Sequence, residues 1–125
     1  MVGEGGMVEK QTYKFMVLTN AVEGRDDEFN EWYSGRHIPD VLAIPGIVAA
    51  SRFELAGTQR MTPPWPYRYL AIYDIETDDL DWVAAEIGRR AGTDAMVISD
   101  SMAAEKLPLI FKPLPAARRA AQAGG

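Results

Sequence analysis

The sequence holds no cysteine and a single histidine among its 125 residues. The first absence excludes disulfides, thiolate metal sites and thiol nucleophiles. The second excludes any metal centre built on two or more imidazoles, so no metal is expected. Basic residues are also in deficit, with 13 Lys and Arg against 18 Asp and Glu and a net charge of −5. That balance argues against a surface that tracks phosphates, and no nucleic-acid partner is expected. Long apolar runs are missing too. The longest, such as Phe15 to Leu18 and Ile47 to Ala50, fall far short of the roughly 20 residues that span a bilayer. The start, MVGEGGMVEK, lacks the basic and apolar regions of a signal peptide, and the expected compartment is the cytoplasm. Walker and dinucleotide-binding glycine motifs and the G-x-S-x-G elbow do not occur.

What is present is ordinary globular composition, 47% hydrophobic and 25% charged, at a length that suits one domain. Residues 1–11 read as a flexible leader, 12–115 as the domain and 116–125 as a tail. Aromatic and branched residues from Tyr13 to Val22 predict a strand. From Arg25 to Arg36 the period changes: Phe29, Trp32, Tyr33, Arg36 and His37 share one helical face, behind an acidic start at Asp26 to Glu28. Pro39 predicts a break there, with a second short helical piece over Pro39 to Ile44 that Pro45-Gly46 ends. Strands are expected at Ile47 to Leu55, Tyr67 to Glu76 and Lys106 to Pro113, the last at an edge because of Pro108. A helix capped by Thr77 or Asp78 runs to about Arg90 and stops at Gly92. The segment Thr93 to Ala104 reads as loop with one short turn.

The order β-α-β-β-α-β is the ferredoxin-like α+β arrangement, a four-stranded antiparallel sheet with both helices on one face. Two helices cover only one face of such a sheet, yet the strands are apolar on both parities. Phe15 and Val17 alternate with Met16 and Leu18, and Ala71 and Tyr73 with Leu70 and Ile72. A second apolar face calls for cover. A homodimer through the sheet face supplies it economically; the alternative is cover by the long loop and the tail.

As the sole imidazole, His37 bears any histidine chemistry. Burial on the aromatic face, the positive end of the following helix and neighbouring Arg36 all favour a neutral ring, which is what a general base requires. The competing reading is a histidine that caps the short helix or satisfies a core hydrogen bond. Asp40 suits the first turn of a helix regardless of chemistry, and secondarily would orient His37. Arg52, on a strand, would hold a substrate carboxylate or enolate oxygen if it faces inward, and is a surface charge if it faces out. Trp32, Tyr33, Trp65, Tyr67, Tyr69 and Tyr73 would wall a pocket for a flat apolar molecule, or form core and interface. Trp65, in the loop TPPWP, is placed to act as a lid.

The run from Phe29 to Arg52, FNEWYSGRHIPDVLAIPGIVAASR, resembles the EthD-like members of the dimeric α+β barrel superfamily. The shared features are the aromatic WY helix, the H-x-P-D segment at His37 to Asp40, and a P-G that opens a strand bearing Arg52-Phe53. The resemblance implies a ligand cavity lined by the sheet, the aromatic helix and the segment after it. It also implies that His37 and pocket tyrosines handle protons, with Tyr69 and Tyr73 as candidates by strand alternation. The expected function is a cofactor-free, homodimeric enzyme of a catabolic or secondary pathway. It would perform proton-transfer chemistry of lyase, cyclase, dehydratase or isomerase type on a small apolar or aromatic carbonyl compound. The alternatives are a non-catalytic accessory or ligand-binding protein of a degradation pathway, and a haem-dependent or cofactor-free monooxygenase. Haem would sit on His37; the expectation is no cofactor.

Overall fold

Alternation decides which side of each strand is buried. In the computed structural model, which describes residues 9–115 and 118–121, Phe15, Val17 and Thr19 of β1 (Gln11–Ala21) turn inward. So do Tyr69, Ala71, Tyr73 and Ile75 of β3 (Tyr69–Thr77). β1 pairs with β3 in register, Phe15 opposite Tyr73 and Val17 opposite Ala71. β2 (Ile47–Glu54) and β4 (Met102–Phe111) complete an antiparallel sheet in the order β2-β3-β1-β4. This is the ferredoxin-like architecture expected. β4 lies at an edge as Pro108 requires, but it begins four residues before Lys106, because Met102 already pairs with Ala21 across a register shift. Gln11 belongs to β1, opposite Thr77; the remainder of the leader through residue 8, and residues 116–117 and 122–125 of the tail, lie outside the described residues.

The inner face is covered by α1 (Asp26–Trp32), α2 (Ile38–Leu42) and α3 (Leu80–Arg90). Phe29 of α1 and Val83 of α3 are both fully buried, with 0% exposure. Each such side chain contributes roughly 1.5–3 kcal/mol through burial alone. The break expected at Pro39 does not occur. Tyr33–His37 instead form one π-helical turn that joins α1 to α2, and the Ile38 N–H reaches back five residues to the Tyr33 carbonyl. A π turn inserts one extra residue, so that Pro39 enters the next helix in its first turn, where no N–H is required. Tyr33 and His37 of the turn thereby pack toward the sheet rather than being lost to a loop.

Asp79, rather than Thr77 or Asp78, caps α3: its Oδ1 accepts from the Trp82 N–H at 3.1 Å, while the Thr77 hydroxyl accepts from Asp79. The helix ends at Arg90, and Gly92, two residues on, takes the left-handed region at φ +83. Gly46 also has positive φ, and a Cβ there would stand 3.0 Å from a Val83 methyl. Glycine at that turn brings β2 up against α3. No helix among the described residues is long and apolar enough to cross a membrane.

Candidate functional site

Between the sheet, the π turn and α3 lies a cavity of about 270 Å3. Phe15, Val17 and Tyr73 form its floor, Tyr33, His37 and Val41 one wall, and Ile87 and Gly88 of α3 with Ala91 just beyond it the other. Met96, Ile98 and Met102, from the segment between α3 and β4, close the end, and Lys106 and Pro108 of β4 stand at the rim. The cavity is apolar except where Tyr33, His37 and Tyr73 enter its depth and Lys106 its mouth.

The π turn sets the imidazole. His37 stacks on Trp32 with ring centroids 4.8 Å apart and meets Tyr33 edge-on at 4.7 Å. Its Nδ1 is buried and has no hydrogen-bond partner. Burial drives its pKa down from 6.5 to about 4; Asp40 pulls it upward and Arg52 downward, without reversing the effect. The ring is therefore neutral at physiological pH. Asp40 does not bond to it: the Asp40 carboxylate accepts from Arg36 Nε at 3.1 Å, an i,i+4 pair in the first turn of α2.

Beside the imidazole, Tyr33 and Tyr73 are both buried, and the Tyr73 hydroxyl donates to that of Tyr33 at 3.3 Å. Burial raises the pKa of both phenols. Tyr73 is held from below by stacking on Phe15 at 5.6 Å. His37, Tyr33 and Tyr73 thus converge on one largely apolar cavity.

Arg52 faces inward on β2, opposite Ala71, and its guanidinium lies over the Tyr33 ring at 4.4 Å from the centroid. It donates to the Ser34 hydroxyl at 2.9 Å and to Asn30 Oδ1 at 2.8 Å, while its Nε is buried and without a partner. Burial lowers its pKa, and no carboxylate binds it among the described residues. Asn30 and Ser34 were not anticipated. Their i,i+4 spacing, one position beyond Phe29 and Tyr33, is the signal that would have placed two polar groups along one edge of the aromatic face.

Tyr69 shares the parity of Tyr73 but not its cavity. It lines a separate hollow of about 210 Å3 with Asn30, Arg52, Phe53 and Glu54. Its hydroxyl donates to Asp26 Oδ2 at 2.6 Å and accepts from Asn30 at 3.3 Å. Arg68 binds Glu54 at 2.7 Å and Asp26 at 3.3 Å beside it. Asp26 therefore does more than charge the start of a helix. Trp65 lies in the loop after β2, bonded through Nε1 to the Met61 carbonyl at 2.9 Å, and lines neither hollow.

The described residues contain no cluster of acidic and histidine side chains fit for a metal ion. Haem on His37, which the resemblance allows, does not fit this cavity. At about 270 Å3 its volume lies below the usual range even for drug-sized ligands.

No protein-family model and no curated protein matches the chain. Solved structures do. An ethyl tert-butyl ether D (EthD) family protein from Bacillus halodurans C-125 superposes with a TM-score of 0.59 at 18% identity, covering 83% of this chain and 100% of its own. A "putative monooxygenase" from Shewanella loihica PV-4 superposes with a TM-score of 0.56 at 9% identity, over 86% of this chain and 98% of its own. At these identities the likeness concerns the backbone alone. The chain has the ferredoxin-like α+β fold of EthD-like proteins.

Proposed function

We propose that this protein is a cofactor-independent, homodimeric enzyme that moves a proton on a small apolar or aromatic carbonyl compound, in a reaction of lyase, cyclase, dehydratase or isomerase type. The observation that carries the reading is a neutral, half-buried His37 beside the Tyr33–Tyr73 hydroxyl pair in one apolar cavity. In this reading His37 takes the proton from a carbon next to a carbonyl. A tyrosine hydroxyl donates a hydrogen bond to the carbonyl oxygen as negative charge grows there. Burial disfavours the imidazolium, and the enolate forming beside it is the counter-charge that offsets this cost. The proton then returns to another carbon, or a leaving group departs.

The dimer draws support from the outer face of the sheet. Phe53, Leu70, Leu18 and Leu107 lie side by side across all four strands, and Ser51, Ile72, Met16 and Leu109 form the next row. Phe53, Leu107, Leu109 and Phe111 are each more than a third exposed. An apolar band of this extent on a lone subunit is unusual. Sedimentation should give twice the 13.8 kDa chain mass, and Leu109→Lys should return it to a monomer; a wild-type monomer refutes the dimer.

Deuterium exchange tests the chemistry. In D2O, the protein should speed exchange at the carbon next to the carbonyl in at least one of a panel of aryl ketones and 1,3-dicarbonyl compounds, followed by NMR. His37→Asn should lower that rate by roughly 10²–10⁴-fold with the circular dichroism spectrum unchanged. Activity that survives in this variant removes His37 from the mechanism. A ligand-binding role is the second reading, favoured by the absence of any partner for His37 Nδ1 and by the commitment of Asp40 to Arg36. It becomes the better one if ligands bind and none exchanges.

A further inference from the structure

The His37 cavity has a rim as well as a depth, and the two differ in charge. Lys106 pairs with Thr19 across β4 and β1, on the strand parity that faces the helices, and stands exposed at the mouth. Among the described residues that line this cavity there is no Asp or Glu. Glu105 and Leu107, its neighbours in sequence, point to the opposite face of the sheet. In an acidic protein, the one formal charge at this opening is thus a cation.

On the facing wall, Gly88 occupies the interior of α3. Glycine is the poorest helix former after proline, and here no packing constraint demands it: a Cβ built on Gly88 would meet no atom within 4 Å beyond its chain neighbours and its own helix backbone. Gly88 is one of the residues that line the cavity. A side chain added there would meet no clash from the fold and would stand at the cavity wall.

We propose that the cavity takes a small apolar carboxylate, its body seated against Gly88 and Ile87 and its acid group paired with Lys106 at the rim. The proposal rests on the cavity being the binding site named above, and narrows its ligand to an acid. The volume sets the size of the body. At the roughly 30 Å3 that one water occupies in the liquid, about 270 Å3 holds an aryl or branched alkyl group with its carboxylate. Desolvation sets the orientation. A carboxylate in the depth would lose its hydration among apolar side chains and two buried phenols, whereas at the mouth it keeps water and meets an ammonium. Arg52 does not compete for it, because its guanidinium lies over Tyr33 and is bonded to Ser34 and Asn30.

Phenylacetate and its neutral analogue phenylacetamide test this by titration calorimetry on the full-length protein. The acid should bind the wild type about three- to fivefold more tightly than the amide, the range of an exposed ion pair, and rising salt should erase the difference. Lys106→Met should abolish the preference and leave the amide affinity unchanged. Gly88→Leu should lose both ligands, and Gly88→Ala, which favours the helix, should weaken both to a lesser degree. Equal binding of the two probes to the wild type, a preference that survives Lys106→Met, unchanged binding to the Gly88 variants, or no binding of either probe would each overturn the proposal. No outcome depends on turnover, so an acid preference without deuterium exchange counts against the enzyme reading alone, and exchange without the preference against this one alone.

Discussion

Two hollows share the helix-covered face of the sheet, with Tyr33 between them, and they differ in how their polar groups are answered. Around Tyr69, charges mostly meet charges: Arg68 joins Glu54 and Asp26, and the tyrosine hydroxyl is tied to Asp26 and Asn30, with the buried Nε of Arg52 the exception. Around Tyr73, the polar groups have little but one another. The imidazole Nδ1 has no partner, the two hydroxyls share one long bond, and the walls are apolar. A group whose partners are fixed holds the fold in shape and resists a change of charge. A group buried without partners is costly to the fold and is freed from that cost when a ligand supplies what is missing. In the function proposed above, this contrast gives the Tyr69 hollow a structural role and the Tyr73 cavity the chemistry. Arg52 is the link, since it bonds into the first hollow while its cation rests on the tyrosine that walls the second.

The largest effect expected from this contrast is on acid stability. The imidazole titrates at about 4 in the folded protein against an ordinary value of 6.5. Between those values the unfolded chain binds a proton that the folded chain refuses. Stability is therefore complete above about pH 6.5 and falls as the pH drops toward 4. The loss attributable to His37 is roughly 3 kcal/mol, at about 1.36 kcal/mol per unit. His37→Phe keeps an aromatic ring for Trp32 to stack on and removes the titration. Urea unfolding of both proteins at pH 7 and pH 4, at matched protein concentration, isolates the effect, because the carboxylates contribute alike to each. The wild type should lose more stability than the variant by about that amount. An equal loss would mean that His37 is not buried as a neutral ring, and the contrast between the hollows would fail on its more important side.

Much of this arrangement was legible in the sequence. Period-two alternation grouped Phe15 with Val17 and Tyr69 with Tyr73, and the helical stride of Phe29, Trp32 and Tyr33 marked one helix face; that these meet on one side of the sheet comes from the strand pairing. Alternation yields a face and not a position along it. Tyr69 and Tyr73 share parity yet stand about 13 Å apart along the strand, enough to put them in different hollows. The facing of Arg52 depended on strand register, which is a tertiary property. The π turn was hidden for a related reason. Pro39 signals a break, and only the packing of Trp32, Tyr33 and His37 against one another shows why the chain widens there rather than unwinding.

A smaller effect tests whether the two hollows are coupled at all. Arg52 pushes the imidazole pKa down and Asp40 pulls it up, while burial dominates both. Because His37 is the sole histidine, its ring protons give a single NMR titration that needs no assignment. Arg52→Gln keeps a side chain able to bond Ser34 or Asn30 but removes the cation, and the midpoint should rise by a fraction of a unit. Asp40→Asn removes the anion and releases Arg36 from its pair, and the midpoint should fall. Opposite shifts of that kind mean that a residue rooted in the Tyr69 hollow sets the electrostatics of the Tyr73 cavity through the ring of Tyr33. If Arg52→Gln leaves the midpoint where it was while Asp40→Asn lowers it, the imidazole senses only its own helix. The two hollows are then independent sites that happen to share a wall.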